Sequence, residues 1–122
     1  MNQQHYQQHR RQFSLPPEHT AYLESLHDQG HRPEVILDIG SCCLHWHDQA
    51  LRIWPEARII CFDAMKEFEE FYRLSGVEYY LGLLSQDNDV AYSFYQNYEH
   101  PAGNSYYREN SLINPRASEC RW

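Results

Sequence analysis

The sequence predicts an α/β fold: a three-layer domain on a mostly parallel sheet, with a short N-terminal helix and a late antiparallel or edge strand. Three observations predict it. Two uninterrupted apolar runs, Val35-Ile36-Leu37 and Ile59-Ile60-Cys61-Phe62, each lead to an acid, Asp38 and Asp63. Between them, apolar residues recur at helical spacing. The resulting order of strand, helix, strand, helix, strand has crossovers of βαβ length, and such crossovers are right-handed almost without exception.

Each element has its own signal. Pro16 and Pro17 set up a helix start, and Tyr22, Leu23 and Leu26 fall at spacings of three and four within Glu18 to Gln29. Gly30 closes that helix, with Pro33 just beyond. The run from Val35 is continuous rather than alternating, which predicts a strand covered on both faces. Trp46, Ala50, Ile53 and Trp54 mark the next helix, which Pro55 ends. After the second strand, Met65, Phe68, Phe71 and Tyr72 mark another helix, stopped by Gly76. A third apolar run covers Val77 to Leu84. Gln86 to Asp89 reads as a turn, and Val90 to Gln96 alternates as an antiparallel or edge strand does. Pro101 to Asn104 reads as loop, and Ser111 to Trp122 has no period. The organisation is a polar mobile arm at 1–14, one α/β domain at 15–110 and an irregular tail at 111–122.

Composition excludes several classes. The 122 residues are 42% hydrophobic and 22% charged, which fits one globular domain. A chain of this size buries roughly 65% of its unfolded surface, enough for one core. No apolar run approaches the roughly 20 residues of a membrane span, so no membrane partner is expected. Met1 to Arg11 lacks the apolar stretch of a secretory signal. The net charge of -7, with Lys66 the one lysine beside nine arginines, argues against a nucleic-acid partner. Cys42, Cys43, Cys61 and Cys120 do not have the spacing of a disulfide framework. A cytoplasmic chain with reduced thiols is expected.

The chemistry concentrates after the first two strands. Ligands of open α/β sheets bind beyond the carboxyl ends of the strands. Gly40 lets the backbone turn sharply and approach a ligand with no Cβ in the way. An acid ending the second strand can accept two hydrogen bonds from a ribose diol, about 20 residues after the glycine turn. Here the interval from Gly40 to Asp63 is 23 residues. Together they point to a nucleoside-containing cofactor. The competing reading has Asp38 capping a helix and Asp63 merely ending a strand. Nicotinamide binding calls for Gly-x-Gly-x-x-Gly, whereas the turn Gly40-Ser41-Cys42-Cys43-Leu44 holds one glycine. S-adenosylmethionine carries no phosphate and needs no pyrophosphate cradle.

At these residues the chain resembles a family. Asp38-Ile39-Gly40-Ser41, then Trp54-Pro55 before Ile59-Ile60-Cys61-Phe62-Asp63-Ala64, is similar to the start of the FkbM-like S-adenosylmethionine-dependent methyltransferases. Gly82-Leu83-Leu84-Ser85 with Asp87, Phe94-Tyr95, and Gly103-Asn104-Ser105-Tyr106-Tyr107 continue the likeness over about residues 18 to 110. The resemblance implies a Rossmann-like seven-stranded fold and methyl transfer to an oxygen of a sugar or small metabolite. It implies that Asp38, Gly40 and Ser41 line the cofactor and that Asp63, followed by Ala64, holds the ribose hydroxyls. It places Ser85 or Asp87 near the adenine.

The chain also departs from the family. The pattern Asp-x-Gly-x-x-x-Gly has its second glycine where Leu44 stands, and a leucine side chain there could crowd the cofactor's aminoacyl end. The family's fourth strand, with an acidic motif near the substrate, has no counterpart here. The expectation is a truncated N-terminal cofactor-binding half, with an open edge and face that invite a homodimer or a missing C-terminal half. The runner-up is a non-catalytic nucleotide- or partner-binding remnant of the same fold.

Other signals are weaker. No general base is assigned. His45 and His47 lie just past the turn and could reach an acceptor, although surface or helix-start roles suit them better. Asn104 and Ser105 could bind acceptor hydroxyls or simply form a loop. Cys42, Cys43, His45 and His47 are dense in zinc-type ligands but lack zinc spacing, and adjacent cysteine side chains are expected to diverge. No metal is expected. The tyrosines from Tyr92 to Tyr107 suit packing better than base stacking.

Overall fold

The computed structural model describes residues 15–87, 90–96, 104–107 and 118–121, with Gln4, Gln7 and Gln8. The mobile-arm reading of 1–14 and the loop at 101–103 fall almost wholly outside the described residues. The chain divides into two compact units, Met1–Leu83 and Leu84–Trp122.

The first unit opens with helix α1, Pro17–Asp28. Pro17 occupies its first turn, where a missing amide hydrogen removes no helical bond. Gly30 ends it at φ +94°. The Gly30 amide donates to the His27 carbonyl at 2.9 Å and the His31 amide to the Leu26 carbonyl at 3.0 Å. That pair of bonds is a Schellman closure, whose left-handed residue glycine supplies without a Cβ penalty. Leu23 and Leu26 turn inward, while Tyr22 stays exposed.

The alternation then runs β1 (Val35–Ile39), α2 (His45–Ile53) and β2 (Arg58–Asp63). A 3-10 turn, Lys66–Phe68, leads into α3 (Glu69–Ser75), and β3 (Glu78–Leu81) follows. Gly76 caps α3 in the left-handed region. The strands are parallel in the order β1-β2-β3. β3 is shorter than the apolar run that predicts it. The chain leaves the ladder at Gly82, whose amide still reaches the Asp63 carbonyl at 2.9 Å. The α/β expectation therefore holds at the level of a three-stranded parallel sheet with helices against it.

Register decides which side chains meet. Ile36 pairs with Ile59, Asp38 with Cys61, and Cys61 with Tyr79. Side chains alternate along a strand, so these residues share one face. All three helices pack there. Leu23 of α1, Ala50 of α2 and Trp54 cluster with Ile59 and Ile36, and the Tyr72 ring of α3 lies 5.5 Å from that of Tyr79. The Trp54 indole donates to the His31 carbonyl at 2.9 Å, pinning the end of α2 to the turn after α1. Burying one Leu or Ile side chain contributes about 1.5–3 kcal/mol, so this cluster anchors α1 and α2 to the sheet.

The opposite face corrects the sequence reading. Continuous apolarity predicts β1 covered on both faces, but the structure covers one. Val35, Leu37 and Ile39 are 51%, 55% and 66% exposed, and Tyr80 of β3 is 57% exposed. The reason is topological. Strand order follows chain order, so two right-handed crossovers place both helices on the same side, and α1 joins them there. On the open face Phe62 stacks on Tyr80 at 5.6 Å, and Arg58 grips Glu78 through two bonds of 2.8 and 2.6 Å.

In the second unit β4 (Ser93–Gln96) pairs antiparallel with β5 (Ser118–Arg121). The late antiparallel strand is present as expected, and its partner lies in the stretch that reads as aperiodic. Tyr95 and Ser105 exchange backbone bonds of 2.7 and 3.1 Å. Among the described residues no helix is long and apolar enough to cross a membrane.

Candidate functional site

The site is built at the carboxyl ends of β1 and β2. Gly40, at φ +81°, turns the chain out of β1, and no atom lies within 4 Å of where its Cβ would stand. The turn is stitched onto β2. The Gly40 and Ser41 amides both donate to the Phe62 carbonyl, at 2.8 and 3.1 Å. The Cys42 amide donates to Asp63 Oδ2 at 2.9 Å, and the Met65 amide donates to Asp63 Oδ1 at 2.8 Å. Asp63 thereby holds together the two loops that follow the two strands.

Asp38 differs. Only 6% of it is exposed, and its Oδ2 accepts no hydrogen bond among the described residues. The Ser41 hydroxyl donates to the Asp38 backbone carbonyl at 2.7 Å. Burial raises the Asp38 carboxyl above its ordinary value; the neighbouring Ser41 hydroxyl opposes this and the Asp63 charge adds to it. Burial likewise raises Asp63, against the amide bonds of Met65 and Cys42. At the end of the sheet burial thus holds both carboxyls above their ordinary value, and the charge of Asp63 acts on Asp38.

Leu44 occupies the left-handed region at φ +63° and is 2% exposed. It stands at the N-cap of α2 with no side-chain cap bond. A left-handed conformation costs a non-glycine residue about 1–2 kcal/mol. The leucine side chain is packed in the interior.

Two participants escaped the sequence reading. Tyr72 reads as a helix core residue, yet its hydroxyl donates to the Cys42 carbonyl at 2.8 Å. Burial and the neighbouring Asp63 push its phenol well above its ordinary value, so it serves as a donor. The helical period marks Tyr72 as inward-facing and carries no signal for what its hydroxyl meets. The second is the thiol pair. Adjacent cysteine side chains are expected to diverge, but the Cys42 and Cys43 sulfurs lie 3.9 Å apart. The left-handed φ of +43° at Cys42 turns them together.

The remaining sequence-predicted residues divide between the units. In the first unit, Ala64 follows Asp63 half-buried. His47 is buried with its Nδ1 3.1 Å from Asp48 Oδ1, and His45 is half-buried at the start of α2. Ser85, Asp87, Asn104 and Ser105 belong to the second unit. There the Ser85 hydroxyl donates to the Asp87 carbonyl at 2.8 Å, and Tyr92 donates to Asp87 Oδ2 at 2.9 Å. The Tyr107 amide donates to the Ser105 hydroxyl at 3.1 Å, and the Tyr92 ring lies 5.5 Å from that of Tyr106. Among the described residues no group of three or more His, Cys, Asp or Glu is placed to hold a metal ion. No family model, curated protein or solved structure matches the chain.

Proposed function

We propose that the first unit is the cofactor-holding half of an S-adenosylmethionine-dependent methyltransferase of Rossmann-like fold, acting on an oxygen of a sugar or small metabolite. The observation that carries the reading is the buried Asp38 Oδ2, which has no hydrogen-bond partner among the described residues and feels the charge of Asp63. A buried acceptor without a partner costs about 1–3 kcal/mol, and a ligand donor supplied there would recover it. The open space at Gly40 admits such a ligand. Asp63 adds a second carboxyl, its two oxygens accepting the Cys42 and Met65 amides, with the Ala64 amide and the Tyr72 hydroxyl also against it. A ribose diol would share those oxygens.

The bound cofactor would supply an already activated methyl group. The protein's task would be alignment of the acceptor oxygen with it. Asp38 and Asp63 would hold the cofactor's polar groups, and the amide-stitched turn would keep both acids in place.

A second reading has one observation in its favour. Both Asp63 oxygens already serve the fold, as a non-catalytic remnant that binds another nucleotide or a protein partner would require. Calorimetric titration of the full chain separates the two. S-adenosylhomocysteine should bind saturably, and Asp63→Asn, verified as folded by circular dichroism, should weaken it at least about tenfold. Failure of the folded wild type to bind would overturn the methyltransferase reading. Binding of ATP or NAD instead would establish the second.

A further inference from the structure

We propose that Cys42 and Cys43 are a reversible redox pair: a peroxide oxidises Cys42, and Cys43 closes a disulfide to its own neighbour. The sulfurs already lie 3.9 Å apart. Their exposures differ in the way such a pair needs. Cys42 is half-buried in the turn and meets the oxidant, whereas Cys43 is buried and waits behind it. The Cys43 thiol, hydrogen-bonded to Cys42, lowers the Cys42 pKa and so favours its thiolate, the form that attacks. The third described thiol is the opposite case. Cys61 is fully buried in β2, and burial pushes it up to about 11.

The steps balance. The Cys42 thiolate attacks one peroxide oxygen; an S–O bond forms, the O–O bond breaks, and the departing hydroxide takes up a proton to leave as water. Cys42 is then a sulfenic acid. The Cys43 sulfur attacks the Cys42 sulfur; the S–S bond forms, the S–O bond breaks, and a second water leaves with the Cys43 proton. The two thiols lose two electrons and two protons, and the peroxide is reduced to two waters. A dithiol reductant reverses the change by exchange.

Adjacent residues across a trans peptide have Cα atoms about 3.8 Å apart, below the roughly 4.4–6.8 Å of an unstrained disulfide. Such a bridge is strained, and strained disulfides are the easily reduced, regulatory kind. The strain falls on a peptide the site depends on. The Cys42 amide holds Asp63, and the Cys42 carbonyl accepts from Tyr72. Ring closure twists the Cys42–Cys43 peptide and loosens both bonds, so oxidation of the pair would loosen the Asp63 end of the site.

The test is hydrogen peroxide titration of the reduced full chain, followed by intact mass and non-reducing peptide mapping. The expected product has lost two hydrogens, with the bridge inside the one peptide carrying Cys42 and Cys43, and dithiothreitol restores the mass. In Cys43→Ser the reaction should stop at a sulfenic acid on Cys42, trapped by dimedone. Three wild-type outcomes overturn the proposal: added oxygens on Cys42 with Cys43 still alkylatable, a bridge to Cys61 or Cys120, or two unreacted thiols. The wild-type mass decides even if the variant does not fold. The expected loss of S-adenosylhomocysteine affinity on oxidation, about tenfold for one loosened bond to a carboxylate, rests on the cofactor reading. The mass result does not, so the two can fail separately.

Discussion

Asp63 accepts the Cys42 amide at 2.9 Å across 21 residues of sequence, and its other oxygen accepts the Met65 amide at 2.8 Å. One carboxylate therefore fixes the loop after each of two adjacent parallel strands. The acid that ends β2 organises the site whether or not it also meets a ligand.

Replacing it should be costly. Asp63→Ala leaves two amides at the sheet end without their acceptor, and the expected loss is about 2 kcal/mol. Asp63→Asn keeps one acceptor oxygen and should lose less. Urea denaturation of the three proteins measures this; equal stability of wild type and Asp63→Ala would contradict the bridging role.

Leu44→Gly sets two effects against each other. Glycine relieves the left-handed strain of about 1–2 kcal/mol. It also removes a buried side chain, and truncating a buried leucine costs about 2–5 kcal/mol. The cavity wins, so the variant should be less stable by roughly 1–3 kcal/mol. A gain in melting temperature would mean that the Leu44 side chain contributes little to the core.

Asp38 gives a signed pH dependence. Its folded pKa is raised by burial, so the folded state binds more protons than the unfolded one above the ordinary aspartate value of about 3.9. Stability then falls as pH rises from there through the raised folded pKa. Asp38→Asn removes that term. Relative to wild type it should gain stability at neutral pH, on the order of 1 kcal/mol, and none at low pH, where the wild-type carboxyl is already neutral. Thermal melts of both proteins across that range check the sign; a variant less stable at neutral pH would contradict it.

The open sheet face should bind an apolar fluorescent dye, because Val35, Leu37, Ile39 and Tyr80 lie together on it. Ile39→Lys places a charge on an exposed strand position, which sheets tolerate. Dye fluorescence should fall while stability stays within about 0.5 kcal/mol. Unchanged dye binding would show that this face is not the apolar surface the dye finds.

The sequence by itself determined the elements of the first unit, though not the end of β3 or the 3-10 turn that precedes α3. Apolar runs made β1 and β2 legible, helical spacing made α2 and α3 legible, and Gly30 and Gly76 marked helix ends because a left-handed turn favours a residue without Cβ. It also located the candidate site, since Asp38 and Asp63 close readable apolar runs and Gly40 follows the first of them. Only the tertiary structure decided that β1 is open on one side, because burial depends on which face the crossovers cover and an apolar run does not record it. Likewise, the partner of β4 came from an aperiodic stretch, since a strand can be defined by its pairing as much as by its pattern. The same holds for Cys42, which meets Asp63 and Tyr72 from 21 and 30 residues away: local patterning reaches a few residues, and these contacts exist only once parallel pairing has set two strand ends side by side.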